Sequence, residues 1–106
     1  MVPAAPKGGD GVVVVGPHGL IEDVDDGVCD LLGYARTELL GLHGAELIPR
    51  GARPRTAVTL DRMRRGELTT HLGTMRRKDG IDVHVEVQSR ATSDGRLVLH
   101  VKRVKS

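Results

Sequence analysis

Between residues 81 and 88 apolar and polar side chains alternate without a break: Ile81, Val83, Val85 and Val87 against Asp82, His84, Glu86 and Gln88. A period of two marks a strand with one buried and one wet face. Leu97, Leu99 and Val101 repeat the rule near the C-terminus, and "TMRR" just before "KDG" predicts a strand folded back on the first. At the other end, "GVVVV" (11–15) and "GLIEDVD" (19–25) are two strand-like runs. The "GPHG" between them supplies turn residues, so they predict a hairpin.

The middle of the chain carries helical signals. "DDGVCDLLG" predicts a short helix capped by Asp25 or Asp26 and stopped by a left-handed Gly33. "RTELLG" repeats this grammar, with Thr37 as the expected cap, Glu38 in the first turn and Gly41 as the stop. "GAELIP" forms a third turn ending at Pro49. From Pro54 to Gly66 a longer helix is expected, with Ala57, Leu60 and Met63 along its inner side and the arginines at 62, 64 and 65 elsewhere.

Turn length fixes which strand residues meet, because a slip of one exchanges the buried and exposed sets. A three-residue loop at Ser93-Asp94-Gly95 places Ala91 opposite Leu97, Glu86 opposite Lys102 and Val87 opposite Val101. The same loop at Lys78-Asp79-Gly80 places Met75 opposite Val83, Gly73 opposite Val85 and His71 opposite Val87, which points His71 inward. A two-residue Asp79-Gly80 turn would instead bury Leu72, Thr74 and Arg76. Burying an unpaired arginine is costly, which favours the first register.

A length of 106 residues means one domain with one core, here with residues 1–10 as a flexible lead-in and residues 11–106 as the folded unit. The charged fraction of 28% suits a soluble chain, and neither a membrane span nor a secretory leader is legible, so a cytoplasmic location is expected. One cysteine, Cys29, allows no internal disulfide and no zinc set. It reads as a small buried hydrophobe. Charge is uneven: residues 1–49 carry two basic and eight acidic side chains, and residues 50–78 carry nine and two. The basic stretch is expected to pair with the acidic first half of the fold. It lacks the aromatic platforms of a nucleic-acid surface, so no nucleic-acid partner is expected. No nucleophile with a base, paired-carboxylate motif or phosphate loop is present, so no enzyme is expected.

In order, these pieces resemble the PAS domain, the small sensory module of signalling proteins, over about residues 11–104. "GVVVVGPHGLIEDVDDGVCDLLGYARTELLGLHGAELIP" is similar to the family's opening: an Asn-type position, here Asp25, before a helix ending in Leu-Gly-Tyr, then Glu-Leu-hydrophobic-Gly and a closing Pro. "RRKDG" with its alternating strand resembles the second signature. "VKRVKS" departs from the Asp-Ile-Thr that commonly leads to an output helix. The resemblance implies an α+β fold: a five-stranded antiparallel sheet, order 2-1-5-4-3, with short helices on one face and a cavity between.

The resemblance also implies which cofactors are absent. The haem-ligating histidine of some members falls on Thr56, and the cysteine of covalent-flavin members has no counterpart near "GAELIP". Neither haem nor covalent flavin is expected. A small organic molecule is the expected guest, with its body against Val85, Val87, Leu99, Val58 and Ile48 and its polar end at His71, assisted by Thr69, Ser89 or Thr56. With no Phe or Trp, bulk is short at the centre, and close packing leaves few voids, so such a shortage invites a guest. The alternatives are that His71 bonds to a core carbonyl or hydroxyl, and that the helices settle onto the sheet and leave no hole. His18, His43, His84 and His100 read as solvated.

As a member of a signalling protein, the chain is expected to regulate an output domain, for instance in a two-component system, and to form a homodimer. The rival reading is a ligand-free dimerisation or protein-interaction module. Val12 and Val14 make the first strand apolar on both faces, which marks a contact surface.

Overall fold

The β-branched run at the N-terminus forms strand β1 (Asp10–Val15), paired with β2 (Ile21–Val24) through the "GPHG" turn. The structure is a computed structural model that describes residues 10–104, so the expected lead-in lies outside the described residues except for Asp10, which opens β1. Helices α1 (Asp26–Leu32) and α2 (Arg36–Leu39) follow, then two 3-10 turns (Gly44–Leu47 and Arg50–Ala52) and helix α3 (Arg53–Arg64). Strands β3 (Thr70–Arg76), β4 (Asp82–Ala91) and β5 (Leu97–Arg103) complete one antiparallel sheet in the order β2-β1-β5-β4-β3. This is the order expected from the resemblance.

Both odd-length reversals form as read. Gly80 and Gly95 each have φ near +87°, a left-handed conformation that a glycine adopts at no steric cost. The Thr92 amide donates to the Arg96 carbonyl at 2.8 Å, and the Arg77 amide donates to the Ile81 carbonyl at 2.9 Å, so each loop holds three residues. His71 therefore pairs with Val87, Gly73 with Val85 and Met75 with Val83. On the other side Val87 pairs with Val101 and Ala91 with Leu97. Val83, Val85, Val87, Leu97 and Val101 are buried beneath the helices. Ile81, expected with this stripe, is 60% exposed: it lies in the loop before β4, where its amide bonds the Asp79 carboxylate.

Asp25 ties the helical layer to the sheet. One carboxylate oxygen accepts from the Val28 amide, capping α1, and from the Val12 amide of β1, both at 3.0 Å. Gly33 ends α1 with φ +76°, its amide bonded to the Cys29 carbonyl. Helix α2 begins two residues earlier than expected. Its cap position is Ala35 rather than Thr37, and the Glu38 carboxylate reaches back to the Ala35 amide at 2.9 Å. The β3–β4 loop grips this helical pair: the Lys78 amide donates to the Leu32 carbonyl at 2.9 Å, and its ammonium pairs with Glu38.

The face of α3 differs from the expected one. At about 100° per residue, Thr56, Leu60 and Met63 stay within a stripe of about 60°, whereas a spacing of three from Ala57 spreads over about 120°. Leu60 and Met63 are buried and Thr56 is half-buried, while Ala57 is exposed. Nor does the basic stretch pair wholesale with the acidic half. Only the Lys78–Glu38 ion pair joins them among the described residues; Arg65 pairs with Asp61 and Glu67 in its own stretch, and Arg76 with Asp82. Exposed pairs of this kind contribute about 0–1 kcal/mol each, so they do not decide the fold.

Candidate functional site

A cavity of about 340 Å³ lies between the sheet and α3, at the lower end of the range of about 300–1,000 Å³ that small-molecule pockets span. Its floor is the inner face of β1, β5, β4 and β3, including Val13, Val85, Val87 and Leu99. Its roof is α3, through Thr56, Thr59, Leu60 and Met63, and the preceding 3-10 turns contribute Leu47 and Ile48. Gly73 keeps the hollow open on β3. A Cβ added there would meet only the His71 ring, at 3.8 Å, so the space above it is unfilled.

Of the residues expected to bind a guest, the structure brings together His71, Val85, Val87, Leu99, Ile48 and Thr56 on this wall. Val58, Thr69 and Ser89 are corrected. Val58 sits about 160° around α3 from Leu60 and is 62% exposed. Thr69 precedes β3, is exposed, and its carbonyl accepts from the Ser89 amide at 2.8 Å. The Ser89 hydroxyl is used by the Leu68 carbonyl at 3.0 Å, away from the cavity.

His71 is the polar group of the floor. Its ring is half-buried on the inward register that the three-residue loop imposes, and its Nδ1 is buried with no hydrogen-bond partner among the described residues. A satisfied core histidine would bond a carbonyl or hydroxyl, and this one does not. An unpaired buried nitrogen costs about 1–3 kcal/mol, a deficit that a guest donor or acceptor would remove. Desolvation holds the imidazole below the ordinary histidine range, so it is neutral at pH 7.

His43, His84 and Cys29 belong to the scaffold, and His18 and His100 are exposed as expected. His43, expected to be solvated, is half-buried: its Nδ1 accepts from the Ala45 amide at 3.1 Å and its ring packs on Gly19. His84 shares a 3.2 Å contact with the Thr74 hydroxyl on the outer face. Cys29 is half-buried on α1 rather than fully buried; burial and the carboxylates of Asp26, Asp25 and Asp30 push its thiol up, which lowers its thiolate fraction.

Sequence reasoning missed Arg55 and Thr59, which also line the cavity. The signal was available in the helical period: taking Thr56 as inward places Arg55 and Thr59, four apart, along the same flank. Among the lining residues Arg55 and His71 are the only ionisable groups, and no carboxylate is present.

The PAS domain family model matches residues 9–101. The chain belongs to the PAS domain family. This PAS domain is similar to a domain of a sensory box sensor histidine kinase/response regulator from Geobacter sulfurreducens, at 26% identity and TM-score 0.78, over 88% of this chain and 82% of that one. It shares its fold with the PAS domain of a LuxR-family transcriptional regulator from Burkholderia thailandensis in complex with ethanol, at 19% identity and TM-score 0.76, covering 92% and 90%. The same holds for the RpfR quorum-sensing receptor PAS domain from Cronobacter turicensis in complex with BDSF, at 10% identity and TM-score 0.77, covering 96% and 100%. No curated protein matches this chain by sequence. No helix among the described residues is long and apolar enough to cross a membrane.

The lowered His71 ionisation sets the sign of a pH effect. Below the ordinary value of 6.5 the unfolded chain takes up a proton at His71 before the folded chain does. Stability is therefore full above that value, falls as pH drops through the interval, and levels off beneath the depressed folded value. Urea midpoints measured from about pH 8 to about pH 5 should decline less steeply for His71→Gln than for the wild type. Parallel profiles would show that the imidazole is not desolvated.

Proposed function

We propose that this PAS domain is the sensor of a signal-transduction protein and takes a small, mostly apolar molecule between its sheet and α3. The observation that carries the reading is the unfilled cavity whose one inward imidazole has a buried nitrogen without a partner. The guest's body lies against Val85, Val87, Leu99 and Ile48, and its polar end meets His71, with Thr56 beside it. Haem and covalent flavin remain disfavoured: Thr56 stands at the haem-ligand position, and Cys29 lies on α1, away from the cavity wall.

The guest would touch both layers of the domain at once. It acts as a switch insofar as it binds one arrangement of α3 over the sheet better than another, since a ligand shifts an equilibrium only by its differential affinity. An attached output domain, such as the kinase of a two-component system, would read that shift. That PAS domains of the same fold hold ethanol in one case and BDSF in another supports a guest here.

Pairing of two copies has its own support. On the outer face of the sheet Leu72 is 74% exposed and Val104 39% exposed, and both border a shallow groove that also touches His84 and Thr74. Val12 and Val14 on the same face are half-buried.

Titration with 1-octanol, followed by amide chemical shifts, should give saturable changes at Val85, Val87, Leu99 and His71. Gly73→Val fills the space above β3 and is expected to weaken binding at least fivefold while leaving stability equal or up to about 1 kcal/mol higher. His71→Ala should also weaken binding without unfolding the domain. Absence of saturable shifts in the wild type would overturn the sensor reading. For the pairing, light scattering at increasing concentration should report a dimer that Leu72→Asp dissociates; a monomer throughout would contradict it.

A further inference from the structure

The cavity wall has a charge sign of its own. Arg55 and His71 are its ionisable groups, and no aspartate or glutamate joins them. Arg55 is exposed, and among the described residues its guanidinium pairs with no carboxylate. Its neighbour Arg53 is engaged, donating to the Ile48 carbonyl at 3.0 Å. Among the lining residues on the inner side of the sheet, Arg55 on α3 is the exposed one, so the cavity opens to solvent at the first turn of α3. Arg55 stands at that opening, and His71 lines the inner side of the same cavity on β3. The start of α3 adds to the same sign: its first turn holds no acidic residue and Ala52 supplies no side-chain cap, leaving the positive end of the helix dipole unneutralised from within the fold.

We infer that the guest of this PAS domain is a small monocarboxylate with an apolar body, its carboxylate being the polar end that meets His71 and that Arg55 holds at the mouth, and its body lying against Val85, Val87 and Leu99. A guanidinium presents paired donors in a fork that matches a carboxylate, and such charge-assisted bonds are about twice as strong as neutral ones. A neutral molecule would leave that fork to water, and a cation would meet repulsion from the arginine with no acid to receive it. The apolar floor excludes a small, fully hydrated anion, because nothing on the sheet replaces its lost water apart from His71. This inference rests on the ligand-binding reading and adds the class of ligand and the residue that selects it.

The test compares octanoate with 1-octanol, of equal chain length, by calorimetric titration of the wild type, Arg55→Gln and Arg55→Lys. The wild type should bind octanoate about tenfold more tightly than 1-octanol, the gain expected of a charge-assisted contact at a half-open site. Arg55→Gln should erase the difference, and Arg55→Lys should restore part of it. Equal affinities for the two probes in the wild type, or an octanoate preference that survives Arg55→Gln, would overturn the role of Arg55 while leaving the pocket intact. Binding of neither probe would remove the pocket reading and this inference with it. Because the Arg55 side chain makes no hydrogen bond or ion pair among the described residues, unchanged urea midpoints are expected for both variants.

Discussion

Gly80 and Gly95, each with φ near +87°, set the length of the two reversals that bound β4, and with that which side chains of β3, β4 and β5 lie beneath the helices. A strand has two faces and a period of two, so the parity of a loop decides whether a residue is buried or wet. With three residues in the β3–β4 loop, His71, Gly73 and Met75 face inward. With two, Leu72, Thr74 and Arg76 would do so, and the hollow would be lined by a bulky leucine and a guanidinium that lacked a partner. A left-handed residue at the third loop position is what makes the odd length cheap, and glycine adopts it without the strain that a Cβ imposes.

Given that register, the hollow follows from size. Across the floor of the cavity Gly73 has no side chain, and across its roof Thr56 and Thr59 are short, so α3 and the edge of the sheet are separated by more than their side chains fill. The other half of the domain is closely packed among the described residues. Val28, Leu32, Leu39 and Leu97 are fully buried there, and Asp25 bonds α1 to β1 directly. One end of the sandwich is thus a packed core that carries stability, and the other is a space with an unpaired imidazole nitrogen. Close-packed interiors resist local change, so a guest that enters the loose end would act against a firm one, which is what a sensor requires.

The sheet was legible in the sequence because its signals are local and binary: alternation at 81–88, odd loops marked by Asp-Gly, and β-branched runs around a Gly-Pro turn. The resemblance to PAS domains supplied the strand order, which no local pattern contains. What was misread lies where a face depends on phase or on the reach of neighbouring elements. Val58, expected against the guest, is carried by the 3.6-residue period to the far side of α3. Ile81 continues the valine alternation but lies in the loop before the strand starts. Thr69 and Ser89 are spent on each other's segment, the Ser89 amide and hydroxyl bonding the carbonyls of Thr69 and Leu68. Arg55 was passed over as one more charge in a basic run; only the roof of the cavity shows that it stands at an entrance.

The account rests on a hollow between α3 and the sheet that persists in solution and accepts an apolar body. Crystallography under xenon pressure tests this most directly, since xenon enters apolar cavities without needing hydrogen bonds. Xenon density against Val85, Val87 and Leu99 beneath Leu60 is the predicted result. An α3 lying on the sheet with no xenon between them would contradict it.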